Sequence, residues 1–192
     1  MTLLQLVMAD IKMKRGQIWV ETVIYTLIGL SLIGLVLAIV TPKINESRDK
    51  AVIEQTIASL NIFDAKVNEI LSAPGNVRTI ELKLKRGELF VDSIGDRIVF
   101  ELNDSRSLYS EPGVPISIGR INVITFEGRR RHNVVLFLNY VHNITFNGED
   151  IKTQKFTGVS IPYKFVVENK GFQLNGSGSA RFWIDIRLGS QG

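Results

Sequence analysis

The sequence has no cysteine, only two histidines and five prolines in 192 residues, and a single long apolar run. Without cysteine there are no disulfides, no thiolate metal sites and no thiol nucleophiles. That leaves the compartment open, because a domain above roughly 100 residues buries enough surface to fold without covalent staples. His132 and His142 stand in no metal-ligand spacing, and no carboxylate pattern completes a zinc site around them. Gly-x-Ser-x-Gly elbows are missing, and no glycine-rich loop precedes a helix as a phosphate cradle requires. The expectation is a protein that is not an enzyme and holds no cofactor and no metal. Charge of one sign is also scarce: the net charge is +4, part of it from the first fifteen residues, which argues against a nucleic-acid partner.

What is present is divided unevenly. Residues 17–40 are apolar except for Glu21 and a few hydroxyl side chains, and Lys12, Lys14 and Arg15 stand directly before them. At 1.5 Å per residue, about 20 helical residues cross a hydrocarbon core of about 30 Å. The basic cluster before the run, against the mixed charges of Lys43, Glu46, Arg48, Asp49 and Lys50 after it, predicts a cytoplasmic N-terminal side and an exported C-terminal side. A secretory signal places its apolar core before the small residue at the cut. Here the order is reversed, with Gly16 ahead of the apolar run, so that a cut there would retain the helix. Trp19 and Tyr25 fit either interfacial aromatics or contacts between packed helices.

The stretch Lys14-Arg15-Gly16-Gln17-Ile18-Trp19-Val20-Glu21 resembles the class III signal peptides of archaeal type IV pilin precursors. The resemblance covers roughly residues 12–40. It implies that a prepilin peptidase cuts after Gly16 and leaves Gln17 as the new terminus, with Glu21 fifth in the mature chain. It also implies that Glu21 pairs with the free α-ammonium of a neighbouring subunit. A carboxylate inside a membrane helix costs on the order of 2.5 to 3.5 kcal/mol, so it is normally given a partner. Pairing in a filament core would set the register between subunits, and a missing partner would leave a buried charge. Against this stands a plain signal anchor, in which Glu21 snorkels to the interface. Lys85-Arg86-Gly87 repeats the tripeptide with no membrane span behind it and reads as a hairpin turn.

Thr41-Pro42 either kinks the helix or ends its membrane part, since proline lacks a donor and clashes with the preceding turn. Beyond it, Ile53, Ile57, Leu60, Phe63, Val67 and Ile70 or Leu71 recur at three- and four-residue steps, one apolar stripe of an amphipathic helix. Packing on the chain's own core accounts for such a stripe, with coiled-coil pairing as the alternative. Ala73-Pro74-Gly75 ends the helix. Alternation then predicts strands over 79–84, 88–92, 97–102, 119–126, 133–141, 161–168 and 180–188, the last with Phe182, Ile184, Ile186 and Leu188 on one face. Arg86-Gly87, Gly95-Asp96, Pro112-Gly113, Gly128 and Lys170-Gly171 punctuate them as turns. The expected fold is α+β: a long N-terminal hydrophobic helix followed by an antiparallel β-sandwich-like head. Its parts are a basic leader (1–16), a transmembrane or filament-core helix (17–42), an amphipathic stalk helix (43–73) and an extracellular β-rich head (76–192).

Arg129-Arg130-Arg131 is the sharpest charge run of the head. It reads as a solvated hairpin tip or as a contact to an anionic surface, glycan or DNA, though no aromatics are interleaved for base stacking. Asn-x-Ser/Thr triplets place candidate N-glycosylation at Asn45, Asn103, Asn143 and Asn175, all beyond the apolar run. The resemblance implies that some carry sugar, and implies as partners other copies of the chain in a helical filament, the prepilin peptidase, an assembly ATPase and a membrane platform protein. The function it implies is a major or minor pilin of an archaeal type IV pilus-like surface or adhesion filament. Two other expectations stand beside it: an uncleaved, membrane-anchored β-domain binding a surface-layer or stator-like partner, and a pilin-like part of a DNA-uptake machine using the arginine run.

Overall fold

The computed structural model describes the backbone of residues 3–174 and 180–189, and the side chains of 19–173 and 180–189. The chain divides into two compact units, Met1–Asn45 and Glu46–Gly192. One helix, α1 (Leu3–Ile70), supplies all the described structure of the first unit and the opening element of the second. Pro42 lies inside it, so the proline does not end the helix. Its ring removes one backbone donor, leaving the carbonyl four residues earlier without its usual partner.

The second unit is a two-sheet β-domain. Ten strands follow α1: β1 (Val77–Leu82), β2 (Glu88–Asp92), β3 (Arg97–Ser105), β4 (Ile116–Ile118), β5 (Ile121–Glu127), β6 (His132–Asn139), β7 (Asn143–Phe146), β8 (Thr153–Thr157), β9 (Tyr163–Leu174) and β10 (Ala180–Leu188). One sheet has the order β1-β9-β10-β7 and the other β4-β5-β6-β3-β2-β8. Every pairing is antiparallel except β7 with β10. The fold is thus α+β with a sandwich-like β-domain, as the alternation implied.

The stripe on α1 completes the core. Ile53, Ile57, Leu60, Phe63, Val67 and Ile70 are all buried in one cluster with residues of both sheets. Phe63 meets Phe165 of β9 edge to face at 6.2 Å. Phe156 of β8 joins the two sheets, 5.1 Å from Phe165 and 5.8 Å from Phe146. Fully burying side chains of this size contributes roughly 1.5 to 3 kcal/mol each, so the second part of α1 belongs energetically to the β-domain.

Several sequence expectations are corrected. Lys85-Arg86-Gly87 is not a hairpin turn, because β1 and β2 lie in different sheets and the segment crosses between them. Gly87 is needed there: its φ is +92°, and a Cβ would stand 2.6 Å from the Phe100 ring. Lys170-Gly171 is not a turn but part of β9, where the pairing with β10 slips by one residue opposite Trp183. The short strands β4, β7 and β8 were not anticipated, being too brief or too polar to alternate visibly. On β10, Ile184 and Ile186 are buried as expected, but Leu188 is exposed and Asp185 is buried instead.

Candidate membrane segment and charged sites

The described part of the first unit offers a lipid-like surface. From Trp19 to Val40 every residue is exposed apart from partly covered Gly29, so among the described residues the run has no buried face. It is long and apolar enough to cross a membrane. Three hydroxyls of this helix bond locally: Thr26 donates to the Thr22 carbonyl at 2.8 Å, Ser31 to Leu27 at 2.7 Å and, just beyond the run, Thr41 to Leu37 at 2.6 Å. Such i−4 bonds remove the cost of carrying hydroxyl groups into hydrocarbon. Glu21 is exposed on the same helix, with no ion-pair partner among the described residues. The side chains of Lys14, Arg15, Gly16 and Gln17 lie outside the described residues, as does Asn175 entirely.

In the second unit, α1 is clamped by polar contacts absent from the sequence reading. Asp49 is buried and accepts from the Arg86 guanidinium and from the Arg106 backbone N–H at 2.8 Å. Arg86 in turn donates to the Asp104 carbonyl at 3.1 Å. Asp64, also buried, accepts from Arg120 Nη1 at 3.0 Å, and Arg120 lies 5.5 Å from the centre of the Tyr140 ring. Burial, then the Asp64 charge, raises the Tyr140 hydroxyl well above its ordinary pKa and keeps it protonated. At the end of the helix, buried Asn169 donates to the carbonyls of Ile70 at 2.9 Å and Ala73 at 3.1 Å. One signal was available: Asp49 and Asp64 fall in the spacing of the apolar stripe, where a charge requires a partner.

Elsewhere in the β-domain, Asp92 at the end of β2 and Asp96 in the β2–β3 connection draw donors from that connection and from β3, β7 and β8. Burial acts to raise Asp92, but hydrogen bonds from Arg97, the Gly95 N–H and Thr153 outweigh it and hold its pKa low. Asp96 is raised, chiefly by burial, although the Ile144 N–H donates to it at 2.9 Å. His142 sits edge to face with Phe182 at 5.5 Å, and burial followed by the charges of Arg120 and Arg181 lowers its pKa. His132 pairs across the ladder with Glu127 and Ser105. Among the described residues no three histidines or carboxylates are grouped as a metal site.

Arg129, Arg130 and Arg131 form the exposed tip of the β5–β6 hairpin, closed by the Gly128 N–H donating to the Arg131 carbonyl at 2.9 Å. Asn103 is exposed on β3, whereas Asn143 donates its side-chain amide to Asp150 at 2.9 Å. Asn45 is half-buried on α1. Within the second unit, no side-chain hydrogen bond or ion pair among the described residues joins the arginine tip to Asn103 or Asn143. No family model, no curated protein and no solved structure matches the chain.

Proposed function

We propose that the chain is a structural subunit of a surface filament of the archaeal type IV pilus kind, cut after Gly16 and assembled through its hydrophobic helix. The observation that carries this reading is the position of Glu21. It is the only charge between Trp19 and Val40, and it stands five residues after the glycine that follows Lys14-Arg15. An acid there is costly in lipid and useful only with a partner. The new α-ammonium of Gln17 in a neighbouring copy is the partner that cleavage would create, which couples assembly to processing. In this reading the precursor waits in the bilayer, the peptidase releases the leader, and an assembly ATPase with a membrane platform protein inserts the subunit. The β-domain is then the part displayed outside the cell.

The second reading is an uncleaved, membrane-anchored β-domain binding a surface-layer or stator-like partner; it is compatible, as the filament reading is, with an apolar stripe covered by the β-domain itself. Mass spectrometry of the native protein separates the two. A mature terminus at Gln17, loss of processing on Gly16→Leu, and processing without polymers on Glu21→Ala are the expected results. An intact first segment with no filament, or normal polymerisation of Glu21→Ala, overturns the filament reading.

A further inference from the structure

Hydrogen bonds place the arginine tip in the β-domain. Asp49, four residues into the second unit from Asn45, holds Arg86 and the backbone of Arg106. Arg86 reaches the Asp104 carbonyl, and the Asp104 N–H donates to Asn133 Oδ1 at 3.3 Å. Asp104 and Asn133, with Arg129, Arg130 and Arg131, line an open concavity of about 720 Å³. The tip therefore stands at the end of the β-domain by which the chain enters it. Nine chain steps lead from Val40 to Asp49, about 32 Å at most if fully extended.

The charge there is one-sided. Arg129, Arg130 and Arg131 have no ion pair among the described residues, nor has exposed Arg106, two residues beyond Asp104. Asp104 and Glu127 are the acids at the tip, fewer than the cations. Adjacent guanidiniums repel one another. The loop is nevertheless tight, since a Cβ on Gly128 would stand 2.5 Å from the Arg131 carbonyl oxygen. It presents the three cations together.

We propose that this tip docks the β-domain onto the anionic lipid headgroups of the bilayer that its own apolar helix crosses. The proposal rests on the membrane-span reading of residues 19–40 and not on filament assembly. Guanidinium groups bind phosphate bidentately, and a short tether keeps the tip within reach of the headgroups. Each arginine near an anionic surface shifts docking by roughly fivefold, and raised salt reverses it.

Because the chain lacks cysteine, single labels can be placed cleanly. The full chain carrying a fluorophore at Glu127→Cys is reconstituted in phosphatidylcholine vesicles with or without phosphatidylglycerol, with a quencher on the headgroups. Strong quenching that requires phosphatidylglycerol is expected. High salt, or Arg129→Gln with Arg130→Gln and Arg131→Gln, should remove it. A second label at Ile151→Cys, 86% exposed on the loop after β7, should not respond. If the protein inserts but quenching is the same in both vesicles, or survives in the triple variant, the docking proposal is overturned. Capture of the tip by added inorganic phosphate or heparin, with no dependence on phosphatidylglycerol, overturns it in favour of a soluble anion. Failure to insert at all, shown by carbonate extraction, overturns the span reading beneath it.

Discussion

Asp96 sits in the left-handed region at φ +49°, where asparagine and aspartate are the best-tolerated side chains with a Cβ. Burial, with the neighbouring charges of Asp150 and Asp92, raises its pKa despite the Ile144 N–H and Arg181. A folded-state pKa above the unfolded one means that the ionised group weakens the fold at neutral pH. That penalty is relieved as pH falls through the folded value. Asp96→Asn keeps the acceptor for Ile144 and removes the charge, so it should raise the midpoint of urea unfolding at pH 7. Its advantage over the parent should shrink as the pH approaches 4. Asp92 and Glu168 run the other way: their lowered pKa values mean stability present above the ordinary carboxylate range and lost as pH falls through it. Acid unfolding is thus expected to follow Asp92 and Glu168, with Asp96 opposing it.

Among elements, α1 depends most on something outside itself. Its last carbonyls would be orphans at any helix end, and Ala73-Pro74-Gly75 explains why it stops without explaining what satisfies them. Asn169, nearly a hundred residues later, does so, and its own carbonyl accepts from the Gly75 N–H at 2.7 Å. It is completely buried, so removing its amide leaves polar groups with no access to water. Asn169→Ala should cost about 1 to 3 kcal/mol per orphaned group in chemical denaturation. Asn169→Asp should be worse, because a carboxylate would face the Ile70 and Ala73 carbonyls instead of donating to them. If Asn169→Ala unfolds at the parent's denaturant midpoint, the cap contributes nothing. This element was half-readable from the chain: Pro74 and Gly75 mark where the helix ends, but no local rule points to Asn169.

Taken as a whole, the molecule consists of two units of opposite character, one a helix whose described side chains are mostly apolar and exposed and one with a closed core. The stripe from Ile53 to Ile70 lies wholly within the second unit. A fragment of residues 46–192 should therefore be soluble and melt cooperatively, while one of residues 77–192 should not, having lost one wall of the core. Circular dichroism melts of the two fragments test this. If 46–192 shows no cooperative transition, the β-domain needs the apolar helix, and the division into two units has no thermodynamic meaning.

The apolar run and the stripe were legible from composition and periodicity, because both are local patterns that water and lipid select whatever the rest of the chain does. Strands with visible alternation, such as β1 and β10, were legible for the same reason. The sheet assignment of each strand was not: β1 and β2 follow one another closely in sequence, yet they lie in different sheets. Nor were the partners of Asp49 and Asp64, the cap from Asn169, or the parallel pairing of β7 with β10. Those depend on which distant segments become neighbours, and pairing across dozens of residues is decided by the common burial of all the pieces, not by the residues flanking any one of them.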